Sequence, residues 1–314
     1  MISRRLIRIK VLQVLYAYSK KNEGYSSMVA EKELFHSIDK FYDLYLLLLL
    51  LITEISDMER NRIEMRQNKN IKTSDDHFPS TNLIDNKLIL LLESNQHLLA
   101  LKEERKLNWK IYTDLLKKLY NDFIGTELYS NYVSVENPTF ECDKKLLSDF
   151  FTAFLSENMS FIDFLEEENI YWNDDSGFAI IMVLKTLDSF KSEGYNKKLL
   201  PLFKNEDDKE FTKKIIRSAI VNREEYLKII KKHVENWDTE RIAQLDLLIL
   251  ELAISELLEF SSIPIKVTLD EFIEISKYYS TERSKVFING ILDKVIKQFE
   301  AEGRLNKKGR GLVS

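Results

Sequence analysis

The stretch RSKVFINGILDKVIKQF, residues 283–299, combines a turn signal with a helical pattern. Its Asn289-Gly290 pair is the dipeptide most typical of a tight hairpin turn. The apolar residues around the pair nevertheless recur with the period of a helix and share one face. They are Ile288, Ile291, Leu292, Val295 and Phe299. Because these positions stay in phase through the pair, the stretch predicts a helix that contains Asn289 and Gly290.

Glycine inside a helix costs about 1 kcal/mol relative to alanine, so Gly290 is expected to have a compensating use. We expect a close approach at this position, either of the N-terminal helix or of a bound nucleic acid next to Phe287. The sequence alone leaves these two alternatives open.

The composition of the whole chain also favours helices. The 314 residues include only 8 Gly and 4 Pro, and 44% are hydrophobic and 31% charged. These fractions are typical of a folded chain and not of a disordered one. Few helix breakers among many Leu, Ile, Glu and Lys residues predict helix almost throughout. We therefore predict an all-α fold without alternating strands.

Several classes of site and location are not expected. Cys142 is the one cysteine, which rules out an intramolecular disulfide, and the four His residues lack the spacing of metal ligands. The longest apolar run, residues 44–52, is too short to cross a bilayer and predicts a buried helix. Arg8, Lys10 and Gln13 interrupt any signal-peptide pattern. We expect a cytoplasmic protein with no metal, no cofactor and no membrane contact.

Basic residues are concentrated at the two ends of a chain whose net charge is −5. Residues 1–22 and 303–314 contain basic side chains and no acidic ones. These are Arg4, Arg5, Arg8, Lys10, Lys20, Lys21, Arg304, Lys307, Lys308 and Arg310. Basic ends on an acidic body predict localised binding of a polyanion. For residues 303–314, a flexible basic tail, an effect on solubility alone is an equal alternative.

The N-terminal residues predict a helix over positions 3–21, apolar almost all round from position 9 to 18 and hence buried on most sides. Arg4, Arg5 and Arg8 are expected at its exposed first turns, on one side of the helix. Cations at the start of a helix oppose the helix dipole. A bound anion would relieve this conflict.

Polar breaks divide the remainder of the chain into helical blocks. In the last third, Asn222 with Glu225 resembles a capping box, residues 237–239 separate two helices and Thr281 caps the final helix. These capping and helix-breaking signals predict five short helices in a compact bundle. Residues 151–187 loosely resemble 211–252, by coincidence among Leu/Glu/Lys-rich helices or through a decayed duplication.

Two groups of residues form ordered motifs at the ends of the chain. The first is Arg4-Arg5-x-x-Arg8 followed by Leu12-Gln13-x-Leu15-Tyr16. The second comprises Asn236-Trp237-x-x-Glu240-Arg241-Ile242, Asp246, Ser255-Glu256-Leu257, Ile263-Pro264-x-Lys266-Val267, Asp270-Glu271-x-x-Glu274-x-x-Lys277 and Phe287-Ile288-Asn289-Gly290-x-Leu292-Asp293. In this order and spacing, the motifs resemble the NusB family of bacterial transcription antitermination factors.

The resemblance implies a NusB-like fold of two small helical bundles with a large helical insertion. Residues 1–36 would supply the N-terminal helices of the core, and residues 204–302 its C-terminal part. Residues 37–203 would be the insertion, and 303–314 the basic tail. Two alternative roles are open for the insertion. Either it adds contacts to polymerase, ribosomal protein or RNA, or it only enlarges the scaffold.

The resemblance also implies a non-enzymatic function in the transcription of ribosomal RNA operons. Family members bind the boxA element of the nascent RNA, a single-stranded target. They do so with NusE, a small-subunit ribosomal protein, and join the antitermination complex on RNA polymerase. These partners come from the resemblance and not from composition or periodicity.

Site residues follow from the same resemblance. Arg4, Arg5 and Arg8 are expected to hold RNA phosphates. Gln13, on the polar stripe of the first helix, is expected to hydrogen-bond a base edge. Tyr16 either contacts RNA or belongs to the core.

The last helix supplies further candidates. Phe287 is expected at the edge of the apolar face, beside Arg283 and Gly290, as a platform that stacks a base. Its alternative role is packing against the N-terminal helix. Arg283 and Lys285 keep this area basic. Asp246 is the expected contact for the protein partner.

The chain departs from the family pattern at four of its positions, which puts the detailed RNA contacts in question. The family commonly has a Glu at the position of Ile9, a basic residue at Glu251, an acidic residue at Arg283 and a Lys at Val286.

Two rival functions remain to be weighed. NusB-like domains also precede some ribosomal RNA cytosine methyltransferases, which need a cofactor-binding sheet, a Gly-rich turn and catalytic cysteines. This sequence has one cysteine, no G-x-G loop and no strand pattern, so we expect no catalytic residues. A helical protein-interaction adaptor that does not touch RNA is the second rival. It leaves the basic first helix unexplained.

Overall fold

The computed structural model describes residues 1–20, 26–68, 79–191, 198–234 and 242–308. Over these ranges the regular structure is helical and no β-strand occurs. The prediction of an all-α fold is therefore confirmed. None of the helices in these ranges combines the length and the apolarity needed to span a membrane.

The described α-helices are numbered here in chain order. They are α1 (Arg4–Ser19), α2 (Ser27–Gln67), α3 (Lys87–Glu93), α4 (Gln96–Arg105), α5 (Thr113–Ile124), α6 (Glu127–Val133), α7 (Phe140–Asp149), α8 (Met159–Glu168), α9 (Ser176–Ser189), α10 (Glu206–Val221), α11 (Arg223–His233), α12 (Gln244–Glu259), α13 (Ile265–Tyr279) and α14 (Glu282–Ala301). Two short 3-10 helices, Trp109–Tyr112 and Leu155–Glu157, and a π-helix, Phe150–Phe154, complete them.

The chain divides into two compact units. The first unit consists of Met1 and residues 39–202, and the second of residues 2–38 and 203–314. The first turns of α2 belong to the second unit and the rest of this helix to the first. The assignment of residues 37–203 as an insertion into a family core stays a prediction.

The first unit is organised by the apolar segment of α2. Every residue from 44 to 52 is buried, which confirms the prediction made from this run. The Trp109 indole nitrogen donates to the carbonyl oxygen of Leu47 at 2.7 Å and anchors the chain between α4 and α5 on this helix. The buried carboxylate of Glu59 accepts hydrogen bonds from Arg62, Tyr120 and Tyr129. Its charge is therefore balanced inside the unit.

The second unit is built around α12. This helix is apolar almost all round, and its residues from 248 to 257 are buried. It contacts α1, α10, α11, α13 and α14. A helix that is hydrophobic on every side needs neighbours on every side, which explains why the basic first helix packs against it. The five helices predicted for the last third of the chain are confirmed as α10 to α14.

Helix α14 contains the stretch with the turn signal. Asn289 and Gly290 are helical, and Ile288, Leu292 and Phe299 on the predicted apolar face are buried. Thr281 caps the helix as predicted, because its hydroxyl accepts from the Ser284 backbone nitrogen at 3.3 Å and Ser284 reciprocates. Burial of one continuous face thus overrides the local turn preference of the dipeptide.

Two expectations about local contacts are corrected. A Cβ built on Gly290 meets no atom within 4 Å, so the N-terminal helix does not approach this position closely. Asn222 stands at the N-cap position of α11, but its side chain does not cap the helix. It donates instead to the Tyr226 hydroxyl at 3.1 Å. The predicted separator at 237–239 lies outside the described residues.

Candidate nucleic-acid interface

The first turns of α1 present arginines where a helix normally favours acids. Ser3 caps the helix by accepting from the Leu6 backbone nitrogen at 3.1 Å, and no acidic residue occupies the first turn. Arg4 and Arg5 follow directly. Since cations at this end oppose the helix dipole, compensating carboxylates must come from other helices.

Arg4 and Arg5 are partly exposed, and each pairs with a distant carboxylate. The Arg4 Nε donates to Asp208 Oδ1 of α10 at 2.8 Å, and its side chain is 39% exposed. The Arg5 side chain is 43% exposed, and its guanidinium donates two hydrogen bonds, of 2.8 and 2.9 Å, to the Glu271 carboxylate of α13. The hydrogen bond to Glu271 raises the pKa of Arg5. Both guanidinium groups remain accessible to an anion from solvent.

Arg8 differs from the other two, and the expectation that it is exposed is wrong. Its side chain is 2% exposed and pairs with Glu256, which is fully buried, through hydrogen bonds of 2.7 and 2.8 Å. The Thr268 hydroxyl donates to Glu256 as well, at 2.8 Å. The rings of Phe211 and Phe272 lie 5.4 and 5.9 Å from the Arg8 guanidinium. Arg8 faces the core because α1 packs this side against α12.

A sequence signal for this buried pair existed. Glu256 is a buried carboxylate near the end of a helix that is apolar almost all round. Because a buried carboxylate requires a cation or several hydrogen-bond donors, such a position predicts a basic partner from a neighbouring helix. Arg8 is that partner.

The three arginines lie on one side of α1, as predicted. Arg4 and Arg8 both stack over the ring of Phe211, and Arg5 and Arg8 both approach Glu271, the latter at 3.7 Å. The cluster is nevertheless neutralised by carboxylates from α10, α12 and α13. A phosphate at Arg4 or Arg5 would therefore have to replace a carboxylate or share the guanidinium with it.

Gln13 and Tyr16 continue along α1. The Gln13 side-chain amide donates to the Tyr279 hydroxyl at 3.5 Å, which brings the end of α13 beside the middle of α1. Tyr16 is exposed, with the Lys20 ammonium 5.1 Å from the centre of its ring. Of the two alternatives for Tyr16, a place in the core is therefore wrong.

The predicted residues of α14 differ in exposure. Arg283 and Lys285 are exposed, whereas Phe287 is half-buried. The hydrogen bond from Lys277 lowers the pKa of Glu274, and the charges of Arg5 and Lys285 act in the same direction. The positive charges of Arg5 on α1 and Lys285 on α14 thus both favour the ionised form of this carboxylate on α13.

Tyr278 was missed by the sequence analysis. It lies in the last turn of α13 and is largely exposed. A signal was present, because Tyr278 falls outside the buried face that contains Phe272 and Ile275. Tyrosine is enriched at binding interfaces, so one on the polar face of an amphipathic helix is a candidate contact residue.

Asp246, the predicted contact for a protein partner, is buried at the start of α12. Its two carboxylate oxygens accept from the hydroxyls of Ser280 and Ser284, at 2.5 and 2.8 Å. These serines flank the N-cap of α14. The carboxylate therefore fastens the start of α14 to the start of α12, and it does not project to the surface.

Part of the C-terminal motif and of the basic tail lies outside the described residues. This part includes Asn236, Trp237, Glu240 and Arg241 of the motif and Arg310 of the tail. Within the described ranges, no group of three or more His, Cys, Asp or Glu side chains is arranged to hold a metal ion.

Comparison with known proteins gives one consistent family. A model described as the NusB family matches residues 181–297, a span that begins inside the predicted insertion. Transcription antitermination protein NusB of Salinibacter ruber is 43% identical over 114 residues, which cover 36% of this chain and 71% of that protein. The protein of the same name from Chloroherpeton thalassium is 44% identical over 105 residues, covering 33% of this chain and 50% of its own length.

A third relative extends the comparison. Transcription antitermination protein NusB of Finegoldia magna is 41% identical over 96 residues, which cover 31% of this chain and 70% of that protein. No solved structure matches the chain.

Proposed function

The chain belongs to the NusB family of transcription antitermination factors, and on that premise we propose that it binds boxA-type single-stranded RNA from ribosomal RNA operons together with NusE. In this role it joins the antitermination complex on RNA polymerase and catalyses no reaction. The identity of 43% over most of the Salinibacter ruber protein supports the family part of this proposal.

The proposal of RNA binding is supported mainly by basic side chains that two helices, α1 and α14, present near the C-terminal half of α13. Arg5 of α1 pairs with Glu271 of α13, and Arg283 and Lys285 are exposed in the first turn of α14, which directly follows α13. Phosphate-directed cations next to aromatic side chains are what single-stranded RNA binding requires.

Each predicted residue receives a role that agrees with its exposure. Arg4 and Arg5 hold phosphates through the exposed parts of their guanidinium groups, and Arg283 and Lys285 attract the backbone from the other side. Gln13, whose amide donates to the Tyr279 hydroxyl, exchanges this hydrogen bond for one to a base edge when RNA binds.

The remaining predicted residues differ in their exposure to solvent and therefore in their proposed roles. Tyr16 offers an exposed ring and Phe287 a partly exposed one. Arg8 is the exception among the arginines: its pair with Glu256 is buried, and we propose that it positions α1 and does not touch phosphate. Asp246 acts on the protein partner in a similar indirect way, by holding α14 in place.

One observation favours the adaptor function as a second candidate. All three N-terminal arginines already have a carboxylate partner. If these ion pairs persist in solution, the first helix is a structural element, and the family function is exercised through protein contacts alone. The two candidates differ in whether RNA binds at all.

A binding experiment with charge-matched variants separates the candidates. We would measure the affinity of the full chain for boxA-like RNA by fluorescence anisotropy, with and without NusE. The test variant replaces Arg4 and Arg5 by Ala. The control replaces Lys145 and Lys213 by Ala, which removes the same charge from two lysines that pair with carboxylates of their own helices, α7 and α10.

We expect the Arg4/Arg5 variant to bind RNA more weakly than the control. Loss of about two phosphate contacts should also reduce the slope of log K against log salt by about 1.4 for a single strand. Equal affinities for the two variants would show that the RNA site is wrong. Absence of RNA binding by the wild-type chain, with NusE still bound, would favour the adaptor.

A further inference from the structure

Tyr278 is the most exposed aromatic side chain in the part of the chain that the structure describes. It is 81% exposed, and Tyr16, at 37%, is the other aromatic residue in the exposed class. An apolar ring left in water gains nothing for the stability of the isolated protein. Because tyrosine is enriched at binding interfaces, such a ring at the end of a helix is a candidate contact for a ligand or partner.

The surroundings of Tyr278 are cationic and come from three helices. Arg5 of α1 donates two hydrogen bonds to Glu271 of α13, seven residues before Tyr278 and therefore on the same side of that helix. Lys277 precedes Tyr278 on α13 and pairs with Glu274. Lys285 is exposed on α14 next to Ser284, which is hydrogen-bonded to Ser280 just after α13. An exposed aromatic ring with cations on neighbouring elements has the two elements of a single-strand binding site, a stacking surface and phosphate-directed charge.

A hydrogen bond made by the next residue, Tyr279, indicates how the Tyr278 ring is oriented relative to α1. Tyr279, the next residue, receives the hydrogen bond from Gln13. Tyr279 therefore turns toward α1, and Tyr278, one residue earlier, points about 100° away around the helix, toward solvent. The ring of Tyr16 lies one helical turn beyond Gln13 on α1. Both exposed tyrosines thus flank the same junction between α1 and α13.

We propose that Tyr278 stacks on one base of the bound single-stranded RNA, while Arg5 and Lys285 contact the phosphates on either side of that base. This inference rests on the proposed RNA-binding function and names a base-contacting residue that the sequence motifs do not include. It also assigns the main stacking role to Tyr278 and a lesser one to Phe287. Phe287 is half-buried in α14 and offers less of its ring to a base.

If Tyr278 stacks on a base, the affinity for RNA should depend on an aromatic side chain at this position. Aromatic stacking contributes about 1–3 kcal/mol per base, which corresponds to roughly a 5- to 150-fold change in affinity. Tyr278→Ala should cause a loss in this range, whereas Tyr278→Phe and Tyr278→Trp should bind nearly as well as the wild type. Because the ring is exposed, none of these changes should affect folding.

The experiment uses the full chain with boxA-like RNA in which single adenines are replaced by 2-aminopurine. We expect the fluorescence of one 2-aminopurine to change on binding to the wild type and to the Phe and Trp variants, but not to Tyr278→Ala. The salt dependence of binding should stay unchanged in Tyr278→Ala, since no phosphate contact is removed. Ile170→Ala, at an equally exposed apolar residue of the other unit, is the matched control.

Each contrary outcome has a distinct meaning. If Tyr278→Ala binds RNA as tightly as the wild type while the Arg4/Arg5 variant is weakened, the stacking role is wrong and the proposed function stands. If Tyr278→Ala keeps RNA affinity and loses NusE, the residue is a protein contact and the inference is overturned. If the wild type binds no RNA at all, the proposed function and this inference both fail.

Discussion

Arg8 and Glu256 form a two-point ion pair in the interior of the second unit, with hydrogen bonds of 2.7 and 2.8 Å. The pair connects the N-terminal helix α1 to the central helix α12. It places a residue of the arginine-rich motif in the core, while Arg4 and Arg5 of the same motif reach solvent. One short motif thus supplies both the anchor of α1 and its candidate binding groups.

Removal of the Arg8 side chain should strongly destabilise the second unit. In Arg8→Ala the Glu256 carboxylate stays buried without its cation, and loss of one partner of a buried pair costs about 3–5 kcal/mol. Arg5→Ala, at an exposed pair, should cost about 1 kcal/mol or less. Urea unfolding followed by circular dichroism would measure both variants.

A double variant keeps this prediction testable if Arg8→Ala does not fold. Arg8→Met combined with Glu256→Leu removes both charges and preserves apolar volume, so it should recover most of the lost stability. A double variant as unstable as the single one would show that the pair is not the cause.

Gly290→Ala should stabilise the protein. Gly290 lies inside α14, and an added Cβ meets no atom within 4 Å. Alanine is favoured over glycine in a helix by about 0.5–1 kcal/mol, and the free energy of unfolding should rise by this amount. A decrease in stability would contradict the open space around this position.

The same variant tests whether RNA approaches Gly290. If RNA lies against the helix backbone there, the stabilised protein should bind boxA-like RNA more weakly, because the methyl group occupies the contact. Unchanged affinity would remove the last functional explanation for this glycine.

Asp246→Ala should loosen the start of α14. The change leaves the hydroxyls of Ser280 and Ser284 without their acceptor, and such a loss costs about 1–3 kcal/mol in a buried setting. Asp293→Ala removes the same charge from an exposed position on α14 and should change stability by less than about 0.5 kcal/mol. Equal effects of the two variants on the unfolding midpoint would argue against the network.

The buried carboxylate of Glu251 predicts a pH dependence of stability. Burial raises the pKa of Glu251 to about 7, although Arg223 acts in the opposite direction. The folded state therefore holds this proton more tightly than the unfolded state, in which the pKa is near 4.5. The resulting stabilisation is fully present below pH 4.5 and is lost as the pH rises through about 7.

Comparison with Glu251→Gln isolates this contribution. The variant cannot ionise at this position, so its stability relative to the wild type should increase between pH 5 and 8 by on the order of 3 kcal/mol. Urea unfolding of both proteins at several pH values would measure the difference. A difference that does not vary with pH would contradict the raised pKa.

Helical content and the apolar faces could be predicted from the sequence. The period of Ile288, Leu292 and Phe299 predicts α14 despite the Asn289-Gly290 pair, and the run at 44–52 predicts a buried helix. These features depend on residues close together in the chain, whose spacing directly determines which side chains share a face.

The candidate site could be predicted only in part. Spacing correctly groups Arg4, Arg5 and Arg8 on one side of α1, but it does not distinguish the buried member from the exposed ones. Asp246 is predicted to contact a protein partner, yet it is buried, and the family motifs do not include Tyr278. For Arg8 and Asp246 the outcome depends on side chains from other helices, which no local pattern contains.

By itself, the sequence determined the all-α class, the helix that passes through Asn289-Gly290 and the family motifs at the two ends. Only the tertiary structure decided which charged side chains are buried in ion pairs and which remain accessible for binding. Arg8 is buried because Glu256, 248 residues away, meets it across α1 and α12, and Arg5 stays accessible because Glu271 lies at the edge of the unit. Helix formation is a matter of neighbouring residues, whereas the exposure and pairing of a charge depend on which helices pack around it.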